Sequence, residues 1–223
     1  MGLLEWMSSA MMAAPAVRGQ RLDANRSELR VSFSTGHHII KDEAMSTPFT
    51  PERAQILLSA ELSAVKVEWP VTKSVIAAIP PDKGDYTPDP VTRSAIELAW
   101  HIVMAENRFL EAVADGAFDL TPRPRPEAIR TPADVNAWYE ERLPRLVERL
   151  GALPAAALAK PIDFRGILKF PAVVFLRIGL SHTIHHRGQL SMYLRPMGAA
   201  VPSIYGESYD ARTARESREA GNS

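Results

Sequence analysis

No cysteine occurs in the 223 residues, so the fold has no disulfide, no thiolate metal ligand and no cysteine nucleophile. Any thiol in its chemistry must come from outside as a cosubstrate. Net charge is missing as well. The 26 Lys and Arg balance the 26 Asp and Glu, and no segment forms a basic stripe, so nothing points to a nucleic-acid partner. No apolar run approaches the roughly 20 residues that cross a bilayer. The first fifteen residues are mildly apolar, but they contain Glu5 and lack a basic start, which argues against a signal peptide and for the cytoplasm. Hydrophobic residues make up 46 % of the chain, enough for a single domain with a sizeable core.

Proline, by contrast, is abundant, with 18 residues, and it punctuates the chain. Residues 1–44 show no sustained period, and the pair His37-His38 has no ligand partner nearby, so this stretch reads as a disordered or loosely attached extension. Met45-Ser46-Thr47-Pro48 reads as a natural beginning for the domain, which is expected to span 45–210 and to be followed by a flexible tail over 211–223. Four amphipathic helices are expected. The first begins at Thr50-Pro51, an N-cap followed by proline at N1, runs to about Ile79, and is expected to be kinked or interrupted at Pro70. The second runs from Ser94 to Asp115, with Ser94 and Glu97 in capping-box spacing and Gly116 at its end. A stiff Pro-rich link, Thr121 to Pro126, leads to the third, which starts at Thr131-Pro132, contains Pro144 and ends at Gly151. One short extra turn is expected within Leu153 to Lys160. The fourth long helix is expected from Phe170-Pro171 to Arg195, stopped by Pro196 and Gly198. No segment reads as a strand. The fold class is therefore all-α, a four-helix bundle.

Three of the six histidines fall in Ser181-His182-Thr183-Ile184-His185-His186-Arg187-Gly188-Gln189. His182 and His186 are four apart, so one helical turn puts both imidazoles on one face, where they can share a divalent metal. Gln189 and Tyr193 extend that face, and Gly179 opens space on it. Spacing alone is a weak motif; the apolar helix around it gives it weight, because buried polar groups need partners. His185 cannot easily join the same ion and reads as flanking. Thr183 stands where a zinc protease carries glutamate, which removes that reading. His101, in the middle of the second helix, is a candidate third ligand; taken alone, it reads first as a core histidine bonded to a carbonyl, or one half exposed beside Trp100, and only second as a ligand. Arg187 and Tyr193 are candidate substrate contacts, each with an alternative structural role. Histidine ligation predicts metal affinity that falls below about pH 6.5.

The run Leu180-Ser181-His182, then His185-His186-Arg187-Gly188-Gln189-Leu190-Ser191-Met192-Tyr193-Leu194-Arg195-Pro196-Met197-Gly198, resembles the last-helix motif of the DinB family, within the DinB/YfiT-like superfamily. Val201-Pro202-Ser203-Ile204-Tyr205-Gly206 and Glu97-Leu98-Ala99-Trp100-His101-Ile102 are similar to it too. The resemblance covers about Met45 to Asp210. It implies a four-helix bundle with one divalent metal, usually zinc or nickel, held by three histidines that match His101, His182 and His186. It also implies a homodimer, and a metal-dependent transferase or hydrolase acting on a small-molecule substrate, with a low-molecular-weight thiol as cosubstrate in some superfamily relatives. Two other readings stay open: a non-catalytic metal-binding stress-response protein and a helical interaction module.

Overall fold

The computed structural model of the protein describes residues 49–221. The expectations for residues 1–44, for His37-His38 and for a start at Met45 lie outside them. The described chain runs α1 (Pro51–Ala77), α2 (Ala95–Asp115), α3 (Pro132–Gly151), the short α4 (Ala155–Leu158), β1 (Pro161–Phe164), β2 (Leu168–Pro171), α5 (Val174–Leu194) and α6 (Tyr209–Gly221). The four long helices α1, α2, α3 and α5 form the bundle. Each packs on two neighbours: α2 on α5 and α3, α1 on α5 and α3. Helix α2 is the spine, with nearly every side chain from Ala95 to Val113 buried.

Local chemistry sets the helix starts. The Thr50 hydroxyl accepts the Arg53 amide at 3.3 Å, with proline behind it at N1. Ser94 caps α2 by accepting the Glu97 amide at 3.5 Å. Glu97 does not complete the box; its carboxylate takes the Arg125 guanidinium at 2.7 Å. The reciprocal capping box is at α3, where Thr131 accepts the Asp134 amide at 3.2 Å and Asp134 accepts the Thr131 amide at 2.8 Å. Gly116 ends α2 in the left-handed conformation, φ 71°, which glycine adopts without strain.

Three expectations are corrected. Helix α1 runs through Pro70 without a break, and α3 likewise contains Pro144. Both prolines are exposed, and the carbonyls they leave without an N–H, on Lys66 and Glu140, lie on the water-facing side. Second, the chain before α5 is a β-hairpin rather than the start of the helix, which begins at Val174. Phe164 pairs with Leu168 and Pro161 with Pro171. Its turn has positive φ at both central residues, Arg165 at 60° and Gly166 at 73°, and the Phe164 carbonyl accepts the Ile167 amide at 3.1 Å. Third, residues 211–221, expected as part of a flexible tail, belong to the helix Tyr209–Gly221; none of its side chains is buried.

Candidate metal centre

Helices α2 and α5 bring His101, His182 and His186 together. The ring centroids are 4.9 Å apart for His101 and His182, 4.7 Å for His101 and His186, and 4.4 Å for the α5 pair. One nitrogen from each ring can be chosen so that all three lie within 4.8 Å of one another, a group that could hold a metal ion. A metal about 2.1 Å from each nitrogen asks for only a modest tightening of the rings.

The rings are deeply buried: His101 and His182 are 0 % exposed and His186 is 4 %. Both nitrogens of His101, both of His182 and Nε2 of His186 lack a hydrogen-bond partner among the described residues. In neutral rings these five orphaned nitrogens amount to three lone pairs and two N–H groups, and a buried cluster of them is costly unless something, such as a cation, takes up the lone pairs. His186 Nδ1 lies 2.9 Å from Gln189 Oε1. The carbonyl oxygen can only accept, so Nδ1 carries the proton and Nε2 presents its lone pair to the cluster. Burial holds His182 down to about 3 and His186 down to about 4, with neighbouring imidazoles and Arg93 adding to the effect. His101 is lowered too, by burial first and then by His182. All three rings are therefore neutral at pH 7, the form that binds metal.

The ring of Phe109 lies 6.2 Å from that of His182, and Phe109 stacks on Phe118 and Phe164. Phe118 in turn packs edge-on against Phe164 and Phe175. The unexpected hairpin thus contributes Phe164 to an aromatic wall beside the cluster. Gly179 does not open a pocket, as the sequence suggested. A Cβ there would lie 2.6 Å from the Phe109 Cβ, so the missing side chain is what lets Phe109 close on α5. His185 is exposed, its ring 4.8 Å from that of His186.

Arg187 is 1 % exposed and faces a different set of partners. It donates to Glu68 Oε2 and to the Tyr205 hydroxyl, each at 2.6 Å, and to the Thr72 hydroxyl at 3.3 Å. That makes it a strut between α5, α1 and the segment after α5. Nearby on α2, Glu106 is buried and accepts the Tyr139 hydroxyl; burial pushes its carboxyl up to about 7. Tyr193, the other candidate contact, is buried, and its hydroxyl has no partner among the described residues. Sequence reasoning singled out neither Glu68 nor Glu106. Tyr205 was visible only as part of the Val201–Gly206 motif, since nothing local reveals its bonds to Arg187, 18 positions away, and to Glu68, 137 positions away.

A four-helix bundle with three buried, neutral histidines, each with at least one ring nitrogen orphaned among the described residues, defines a class: a helical protein with a candidate metal centre. The chain belongs to the DinB family, whose sequence profile matches residues 62–219. It is 28 % identical over 137 residues to YjoA of Bacillus subtilis strain 168, covering 60 % of this chain and 87 % of that protein. The crystal structure of that DinB-like protein superposes with a TM-score of 0.55 at 25 % identity, over 65 % of this chain and 97 % of YjoA. A DinB-like protein from Bacillus cereus ATCC 10987 shares the fold, with a TM-score of 0.55 at 23 % identity, over 66 % of this chain and 97 % of its own.

Proposed function

We propose that this protein is a divalent-metal-dependent enzyme in which His101, His182 and His186 hold one zinc or nickel ion. It acts on a small electrophile, either as a transferase with a low-molecular-weight thiol as acceptor or as a hydrolase with water as acceptor. The observation that carries this reading is the cluster of buried imidazole nitrogens without partners. Three nitrogen ligands leave at least one coordination position open, as catalytic sites do. A divalent ion in such a site acts as a Lewis acid and favours the deprotonated form of a water or thiol that meets it. The chain's own contribution is to hold the rings neutral, fix the His186 tautomer through Gln189, and exclude water with the Phe109 wall.

The test is metal content by elemental analysis of the native protein and of His101→Ala. Near-stoichiometric zinc or nickel in the first, lost in the second, supports the reading. A native protein that holds no metal and takes up none from added zinc would overturn it. A conjugation screen of thiols against electrophiles then reads the activity. The complete burial of His101 and His182 favours a second reading, in which the ion stabilises the bundle without catalysis. A metal-loaded protein that melts far above its chelated form yet accelerates no reaction in the screen would establish that reading instead.

A further inference from the structure

The three imidazoles are almost sealed from solvent, so any reactant must displace a side chain to reach them. Helices α2 and α5 run antiparallel past the cluster. His101 stacks against His186, and eight residues further along α2 Phe109 meets Gly179, seven residues earlier on α5. The cluster therefore has two ends along these helices, and they are closed in different ways. At one end Phe109, Phe118, Phe164 and Phe175 interlock ring against ring, and the Phe109 Cβ is wedged against Gly179. Opening that end breaks close packing shared by α2, the hairpin and α5.

At the other end lies Tyr193, within α5 and on the same helical face as His186, two turns or about 11 Å further along the axis. Aromatic side chains of a helix lean back towards its N-terminus, over the residue four positions earlier. For Tyr193 that residue is Gln189, the partner of His186 Nδ1. Tyr193 is 4 % exposed, yet its hydroxyl has no hydrogen-bond partner among the described residues. A buried hydroxyl is normally satisfied, and a phenylalanine would fill this place without the cost of an orphaned one. Tyr86 covers Tyr193 edge-on, with ring centroids 6.0 Å apart. It is half-buried, whereas residues 87–91 beside it are exposed. The Ala95 amide donates to the Tyr86 carbonyl and the Ile96 amide to the Gly84 carbonyl, each at 2.9 Å, so the backbone here is fastened to the start of α2. The cover at this end is one side chain on an anchored backbone, and a rotamer change moves it without disturbing the bundle.

We propose that reactants enter the metal centre past the Tyr86 ring, and that the Tyr193 hydroxyl donates a hydrogen bond to a carbonyl oxygen of the molecule that arrives there. The proposal rests on the metal reading above and adds to it an entrance and a class of substrate, a small electrophile that carries a carbonyl group. Such an oxygen supplies the acceptor that the Tyr193 hydroxyl lacks in the closed fold. Swinging Tyr86 aside exposes that hydroxyl first, so the group that meets the incoming molecule stands at the entrance that admits it.

The test uses the full chain loaded with cobalt(II), whose visible absorption reports each ligand that joins the ion. Acetohydroxamate, which offers a carbonyl oxygen, and imidazole, which offers none, are titrated into wild type, Tyr193→Phe, Tyr86→Ala and Tyr86→Leu, with stopped-flow mixing for the rates. Tyr193→Phe is expected to bind acetohydroxamate about fivefold more weakly and imidazole as the wild type does. Tyr86→Ala is expected to admit both probes several-fold faster, with cobalt content and melting temperature kept. Tyr86→Leu should fall between it and the wild type, and it carries the rate test if the alanine variant fails to fold. Unchanged acetohydroxamate affinity in Tyr193→Phe, or an equal loss for imidazole, would overturn the hydrogen bond. Association rates that neither Tyr86 variant alters would overturn the entrance. A protein that takes up neither cobalt nor zinc would sink the metal centre and this proposal with it, whereas full uptake with unmoved probes would sink this proposal alone.

Discussion

Gly179 shows how one missing side chain sets the spacing of two helices. Replacing it with alanine improves helix propensity by up to about 1 kcal/mol, but the new Cβ meets the Phe109 Cβ at 2.6 Å. Neither atom can rotate away, because a Cβ has no rotamer. Overpacking of this kind costs about 1–3 kcal/mol, so Gly179→Ala is expected to lower stability in urea denaturation by about 1–2 kcal/mol net. A variant as stable as the wild type would show that Phe109 yields freely. Arg187 is the second key residue. Arg187→Met leaves Glu68 without its buried partner and is expected to cost about 3–5 kcal/mol by the same measurement.

Glu106 makes stability depend on pH, with a definite sign. Its folded carboxyl is raised to about 7 by burial, above the ordinary value of 4.5. Below 4.5 the folded and unfolded chains are both protonated there, and its contribution is fully present. Between about 4.5 and 7 the unfolded chain releases the proton and the folded one retains it, so stability falls as pH rises. The total is of the order of 3 kcal/mol. The buried histidines act in the opposite sense over part of that window, so the quantity to measure is wild type minus Glu106→Gln. That difference is expected to slope downward from pH 4.5 to 7; a flat difference would mean that Glu106 is ionised in the fold.

At the scale of the element, caps and breaks follow from local rules, and exceptions follow from position. Thr131 satisfies an α3 amide that would otherwise be orphaned, so Thr131→Ala is expected to cost about 1 kcal/mol in chemical denaturation. Pro70 and Pro144 carry the same sequence signal as any helix breaker, and only their placement on the water-facing side makes them harmless. The hairpin was illegible because its strands are four residues each, too short for alternation to stand out, and because its turn is Arg-Gly rather than the usual Asn-Gly. Helix α6 buries nothing. Ending the chain after Arg212 keeps the Asp210 carboxylate on the Val201 amide and is expected to change stability by less than about 0.5 kcal/mol; a large loss would reveal a role for this helix.

For the whole molecule, metal binding and folding are linked. If zinc binds the folded chain, a free concentration of about one hundred times its dissociation constant should add about 2.7 kcal/mol; His101→Ala should abolish the thermal shift. The structure also moves the expected pH limit. Solution imidazoles would release metal below about pH 6.5. Burial keeps these rings neutral much lower, with His186 at about 4 and His182 at about 3. Zinc affinity of the folded protein is therefore expected to stay level down to about pH 5 and to collapse near 4. Loss centred at 6.5 would mean that the rings are more hydrated than the fold shows. Among the described residues no helix is long and apolar enough to cross a membrane.

The sequence by itself determined the helical period, the caps, the all-α class and the pairing of His182 with His186, because each depends on residues within a turn or two of one another. It also marked His101 as a candidate, through the resemblance of its surrounding segment. Only the tertiary structure decided that His101 meets that pair, that Arg187 is spoken for by Glu68 and Tyr205, and that Phe109 fills the space left by Gly179. Those contacts join residues 18 to 119 positions apart. Antiparallel packing of α2 on α5 creates them, and no local pattern encodes which buried polar group will find which partner.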